Sequence, residues 1–139
     1  MKIKDIMTSD VQTTSPADTV QQAAKIMAKI DAGALPVAEN DRLVGMITDR
    51  DILLRAVAPG LAPDQCTVRS VMSDGVKYVY EDESTDDLAR NMADLQMRRL
   101  PVVNRDKRLV GIVSLGDLAT SGRDRETRAA IAGVSRPAA

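Results

Sequence analysis

Thr48-x-x-Asp51 and Ser114-x-x-Asp117 form the one polar arrangement that occurs twice in this 139-residue chain. Each closes an apolar run with a β-branched bias, Leu43 to Ile47 and Leu109 to Val113, that is too short for a helix. Apolar residues at helical spacing follow each Asp. The pattern reads as strand, tight junction, helix. Two kinds of chemistry suit it. A Ser or Thr three residues before an acid makes a capping box, which satisfies orphan N–H groups at a helix start. The C-terminal end of a strand is also where α/β units leave a crevice, and free helix-start N–H groups suit phosphate. Asp51 is a poor neighbour for phosphate but a good acceptor for sugar hydroxyls. Hydroxyls at one end and phosphate at the other describe a nucleotide. On spacing alone, both readings stay open.

Nearby cations sharpen the question. Arg50 lies in the first turn of its helix, where a cation opposes the dipole by roughly 0.3–1 kcal/mol. Either Asp49 and Asp51 offset it, or an anionic ligand does. Arg98 and Arg99 precede Leu100-Pro101-Val102, whereas the matching positions of the first copy are the neutral Gly33 and Ala34. Surface charge at a helix-to-strand junction is ordinary. Even so, the asymmetry means that two sites built on these junctions cannot be chemically equivalent.

Other chemistries are missing their parts. The chain has no His, so Ser-His-Asp and Cys-His nucleophiles are excluded, and the commonest general base and transition-metal ligand are absent. Paired carboxylates (Asp49, Asp51, Asp117) have no base, nucleophile or ligand cluster at suitable spacing, so no catalytic or metal-binding residues are assigned and no enzyme activity is expected. Cys66 stands alone and reads as an inert thiol in a reducing cytosol. A net charge of −1 with both signs interspersed gives no reason to expect nucleic acid or a membrane surface. No apolar run reaches a membrane span, and Met1 to Asp5 does not open a secretory signal. A cytoplasmic location is expected. Tyr78 and Tyr80 are the only aromatic residues, so a planar ligand would be gripped mainly by aliphatic and Met side chains.

The elements that must hold these junctions repeat with them. Ala34-Leu35-Pro36-Val37 matches Arg99-Leu100-Pro101-Val102, and Met7 and Met27 match Met72 and Met92, 65 residues on. The strand motif recurs at 66, which puts one extra residue in the second turn, between Val102 and Leu109. Each unit reads β-α-β-β-α. In the first, a lead-in at Ile3 to Met7 precedes a strand at Val11 to Thr13. A helix from about Thr19 to Ile30 ends at Gly33, and a hairpin through Glu39-Asn40-Asp41-Arg42 leads to a second helix over about Asp49 to Val57. In the second, Arg69 to Met72 leads in, Lys77 to Tyr80 is a strand, and Ser84 to Asp87 opens a helix as a capping box. Residues 1–57 form the first repeat, 58–68 a Pro- and Gly-rich linker, and 69–121 the second repeat. Residues 122–139 are a tail with room for a short helix reaching Ile131 and an end at Pro137 that is expected to fray. Two copies, unlike a solenoid, must bury their apolar faces on each other. The fold class is α+β, built of α/β-type units.

At this point the sequence resembles a tandem pair of CBS domains, the cystathionine β-synthase type of repeat, also called a Bateman module. The resemblance rests on both Leu-Pro-Val segments, both strand motifs, both downstream Asp residues and the Met7 and Met72 lead-ins. It covers about residues 1 to 121, and it extends to small stand-alone bacterial and archaeal proteins that consist of little else. It implies a pseudo-twofold pair with two clefts, often dimerised, and adenosine ligands such as AMP, ADP, ATP or S-adenosylmethionine as regulatory ligands, with no required cofactor. By position it implies that Asp51 and Asp117 hold ribose hydroxyls, with Thr48 and Ser114 near ribose or phosphate. Backbone around Ala34-Leu35 and Arg99-Leu100 would meet the base, and Arg50, Arg98 and Arg99 the phosphates. Val11 would be an apolar wall, with Tyr78 or Tyr80 available for stacking.

The function expected is a non-catalytic sensor of adenosine nucleotides, with an unidentified protein as its regulated partner. The alternative is a ligand-free dimerisation or docking scaffold. Two short sheets backed by helices on one side leave apolar helix surface, as in Leu53, Leu54 and Val57, and with the dimers the resemblance implies this predicts a homodimer built on the helices near Asp49–Val57 and Leu115–Ala119.

Overall fold

The computed structural model describes residues 1–137; Ala138 and Ala139, beyond the end expected to fray, lie outside the described residues. A 3-10 turn at Ile3–Asp5 opens the chain. Then come α1 (Val20–Ile30), β1 (Ala34–Glu39), β2 (Arg42–Thr48) and α2 (Asp49–Ile52), which runs on as a π-helical turn over Leu53–Val57. The second series is α3 (Val68–Val71), β3 (Val79–Tyr80), α4 (Thr85–Leu95), β4 (Arg99–Val103), β5 (Leu109–Ser114), α5 (Leu115–Ala119) and α6 (Asp124–Val134). This mixture of short sheets and helices is the expected α+β class.

The long helices start and stop by local chemistry. At α1, the Gln22 N–H donates to Thr19 Oγ1 at 3.1 Å and the Thr19 N–H to Gln22 Oε1 at 2.8 Å. At α4, Ser84 Oγ accepts from the Asp87 N–H at 3.1 Å. The two helices end on matched left-handed residues, Asp31 (φ 55°) and Gln96 (φ 54°), so Asp31 and not Gly33 terminates α1. An Asp tolerates that conformation at a helix end, which leaves Gly33 free for another role.

Strands β1 and β2 pair antiparallel through a two-residue turn. Asn40 (φ 54°) and Asp41 (φ 64°) both adopt the left-handed conformation that such a turn requires. Strands β4 and β5 pair in the same register, and β3 adds to β4 in parallel. The longer second turn needs Lys107 at φ 60° and is tied by the Asn104 carboxamide oxygen, which accepts from the N–H groups of Asp106 and Arg108 at 3.0 Å each. The strand expected at Val11 to Thr13 does not form. Only Thr14 bridges to Val37, because Asp18 Oδ2 draws the Thr14 hydroxyl (2.8 Å) and the Ser15 N–H (2.9 Å) into a turn just before Pro16, which has no N–H. The strand expected at Lys77 to Tyr80 is shortened to Val79–Tyr80.

The chain divides into two compact units that do not follow the repeat boundaries. One comprises Gln12–Val76; the other joins Met1–Val11 to the residues from Lys77 onward. Each lead-in therefore completes the unit built on the other repeat's strands. Thr8 bridges to Ile112 in one, and Ser73 to Met46 in the other. Gly111 and Gly45 make room for this. A Cβ on Gly111 would lie 2.6 Å from Met7 Sδ and 2.9 Å from Thr8 O, and one on Gly45 2.7 Å from Ser73 O and 2.9 Å from Met72 Sδ. The matched Met residues are thus packing partners of the matched glycines. Val20, Ala23, Leu35, Val37, Ile47 and Val71 build the core of the Gln12–Val76 unit. Ile3, Val79, Leu88, Met92, Leu100 and Val113 build the core of the other. The tail contributes more than a short helix: α6 packs on α4 and α5, with Ala130 in the core and the Thr127 hydroxyl donating to the Arg123 and Leu118 carbonyls.

Candidate functional site

Both strand-to-helix junctions close as reciprocal capping boxes. In the Gln12–Val76 unit, the Asp51 N–H donates to Thr48 Oγ1 and the Thr48 N–H donates to Asp51 Oδ2, each at 3.0 Å. In the other unit, the Asp117 N–H donates to Ser114 Oγ at 3.0 Å and the Ser114 N–H to Asp117 Oδ2 at 2.9 Å. The capping expectation is therefore met in full. It uses one carboxylate oxygen of each Asp; among the described residues no protein donor reaches the other. All four residues are half-buried, so each free oxygen is an acceptor on a fixed stem.

The flanking strands place the remaining candidates. In the first junction Ala34 pairs with Thr48 across the ladder, and in the second Arg99 pairs with Ser114. Leu35 and Leu100 are 1% and 0% exposed, with side chains locked in the cores, so only their backbone is open to a ligand. Arg50 and Arg98 are exposed and Arg99 is half-buried, and no carboxylate among the described residues forms a salt bridge with any of them. Val11 and Tyr78 fall in the same unit as Ser114 and Asp117, whereas Arg50 and Ala34 fall with Thr48 and Asp51. Tyr80 is not free for stacking. The Arg105 guanidinium lies over its ring, 4.1 Å from the centroid, and is held by two hydrogen bonds to Asp82 of 2.9 and 2.7 Å. Those bonds hold the Asp82 carboxyl below its usual range. Tyr78 meets Tyr80 edge-on at 5.8 Å and stays 36% exposed.

One relationship is invisible to motif reading. The first helical N–H of each junction docks on a matched carbonyl: Asp49 N–H on Gly33 O at 2.9 Å, and Leu115 N–H on Arg98 O at 2.7 Å. The backbones are thus equivalent, but the side chains are exchanged. A Cβ on Gly33 would sit 2.8 Å from Asp49 Oδ2, so a carboxylate lies over the position from which, in the other unit, the Arg98 side chain grows. Comparing positions 33 with 98 and 49 with 115 is the signal that reveals it.

The CBS domain profile matches residues 3–57 and 68–123, and the chain belongs to the CBS-domain family. It is 45% identical over 125 residues to the CBS domain-containing protein YhcV of Bacillus subtilis (strain 168), covering 90% of this chain and 88% of the relative. Among solved structures it is similar to Hypoxic Response Protein I with two coordinated zinc ions (TM-score 0.80, 37% identity, 87% of this chain and 98% of that one). It is also similar to the CBS domain pair of protein MJ0100 in complex with 5′-methylthioadenosine and S-adenosyl-L-methionine (TM-score 0.76, 31% identity, 86% and 98%). A zinc site does not fit the present residues. There is no His in the chain, and among the described residues no group of three or more Cys, Asp or Glu side chains converges. No helix among the described residues is long and apolar enough to cross a membrane.

Proposed function

We propose that this protein is a non-catalytic sensor that binds adenosine ligands (AMP, ADP, ATP or a related adenosine) at its two strand-to-helix junctions. The duplicated capping box carries the reading: each junction offers one fixed carboxylate oxygen with no protein donor among the described residues, the chemistry a ribose diol needs. A relative of 31% identity bound to two adenosine compounds supports the choice of ligand class. Asp51 and Asp117 hold the ribose hydroxyls, Thr48 and Ser114 line its edge, and backbone at Ala34-Leu35 and Arg99-Leu100 meets the base. Val11 and Tyr78 supply apolar contact, and the cations Arg50, Arg98 and Arg99 are candidates for phosphate. Occupancy is passed to a regulated protein by the helices that the junctions start. The test is thermal unfolding with a panel of AMP, ATP, S-adenosylmethionine and NAD. A melting shift with at least one adenosine compound is expected, and none with any of them sinks the reading.

A second reading, a ligand-free dimerisation or docking scaffold, draws on an exposed apolar surface that the sensor reading shares. Leu53, Leu54 and Val57 are 56%, 48% and 53% exposed on the π-helical turn, and Leu61 follows at 48%. Helix α5 shows no such surface, since Leu118 is buried and Leu115 half-buried. Of the two helical segments expected to pair, only the one over Asp49–Val57 carries an exposed apolar patch, and a second copy of the chain is its proposed occupant, in the sensor as well as in the scaffold. Light scattering at micromolar concentration should give a dimer for the wild type and a monomer for Leu54→Lys.

A further inference from the structure

Resting on the adenosine reading above, we propose that the two junctions are selected by charge. The Ser114–Asp117 junction takes an adenosine ligand carrying phosphate, and the Thr48–Asp51 junction takes one without net negative charge, such as a thioether or sulfonium adenosine. What the junctions share suits what such ligands share. Both present an Asp in the same capping box, with one oxygen free for ribose hydroxyls. What differs lies where ligands differ, in the group beyond the ribose.

The difference is a substitution of one sign for the other on an equivalent backbone. Where the second junction has Arg98 and Arg99, the first has Gly33 and Ala34. The surface over Gly33 is occupied by the Asp49 carboxylate, whose counterpart Leu115 is neutral. Asp49 is not neutralised by a salt bridge among the described residues; its Oδ1 accepts only from the Arg50 N–H, at 2.8 Å. Formal charges sum to −1 over Asp49, Arg50 and Asp51 and to +1 over Arg98, Arg99 and Asp117. A nucleotide monophosphate brings about −1.5 to −2 charges at neutral pH, so it meets repulsion at one junction and two cations at the other. An uncharged 5′ substituent meets neither, and a sulfonium is favoured beside Asp49.

Calorimetric titration of the full-length protein with AMP and with 5′-methylthioadenosine tests this. Wild type should bind one tight equivalent of AMP per chain, sensitive to Asp117→Ala and not to Asp51→Ala, and weakening as salt is raised. The double variant Arg98→Gly/Arg99→Ala copies the first junction's residues and should bind AMP about tenfold more weakly or worse. The site for 5′-methylthioadenosine at the Thr48–Asp51 junction, to which neither arginine belongs, should keep its affinity. The reciprocal variant Gly33→Arg/Asp49→Leu should gain a second AMP equivalent. Gly33 has no left-handed φ to forbid a side chain, and its one close neighbour is the carboxylate that the second change removes. AMP binding that ignores the arginine pair, or that follows Asp51 instead of Asp117, overturns charge selection while leaving adenosine binding intact. Failure of both compounds to bind wild type removes the adenosine reading itself, and this inference with it.

Discussion

Gly133 of α6 lies directly on Ala93 of α4, so close that a Cβ on the glycine would collide with the Ala93 Cβ and backbone. Neither atom belongs to a flexible side chain, so the helices would have to part. Gly133→Ala gains about 1 kcal/mol of helix propensity, but overpacking costs typically about 1–3 kcal/mol. The expected outcome is net destabilisation by chemical denaturation, with α6 more open to proteolysis. A variant as stable as wild type would mean that α6 is not docked on α4 as described.

Gly45 and Gly111 make a paired prediction. In each, an added methyl meets a lead-in carbonyl, Ser73 O or Thr8 O, as well as a Met sulfur. Gly45→Ala and Gly111→Ala should each lose about 1–3 kcal/mol. Hydrogen exchange should then separate them: Gly45→Ala loosens residues 68–76, and Gly111→Ala loosens residues 1–11.

Asp51→Ala and Asp117→Ala remove one side of a cap and should each cost about 1 kcal/mol of stability. The wild type with ligand at about 100 times its dissociation constant should gain about 2.7 kcal/mol, a melting shift of several degrees for a chain of this size. With AMP the loss of that shift should fall on Asp117→Ala, and with 5′-methylthioadenosine on Asp51→Ala. Variants that melt early yet bind normally would leave the two Asp residues as helix caps alone.

Acid should weaken the Gln12–Val76 unit through Asp18. The Ser15 N–H, more than the Thr14 hydroxyl, holds the Asp18 carboxyl below its usual 3.8, against partial burial. A carboxylate depressed in the folded state stabilises the fold fully above its unfolded value and loses that contribution as pH falls through the folded one. Stability should therefore decline below about pH 4. Asp18→Asn should be less stable near neutrality and flatter with pH in that window, as measured by urea unfolding. Parallel curves for the two proteins would show that Asp18 is not the sensitive group.

Local features were legible in the sequence. Both capping boxes, both Leu-Pro-Val strands and the Asn40-Asp41 turn are set by residues within a few positions of each other, and their types declare the geometry. The docking of α6 was not, because its buried residues are Thr127, Ala130 and Gly133. Small residues that gain burial by close approach leave only a faint apolar stripe among the charges from Arg123 to Arg128. The missing strand at Val11 to Thr13 depends on a competition with Asp18 that β-propensity does not register. The pairing of Asp49 with Gly33 joins residues 16 apart and becomes apparent only when the two junctions are laid over one another.

The placement of the first residues has a consequence in time. Ile3 is fully buried among side chains of the later unit, and its N–H reaches Glu83 O at 2.9 Å, 80 residues on. Thr8 waits longer still, for Ile112. A ribosome making this protein releases everything the Gln12–Val76 unit contains while the opening segment has no partner to settle against. One half can fold during translation, at about 5–20 residues per second, whereas the other must hold its earliest residues, the apolar Ile3, Ile6 and Met7 among them, in reserve until the strand bearing Ile112 has emerged. Slow translation should therefore favour one half and prolong the exposure of the other's first few residues.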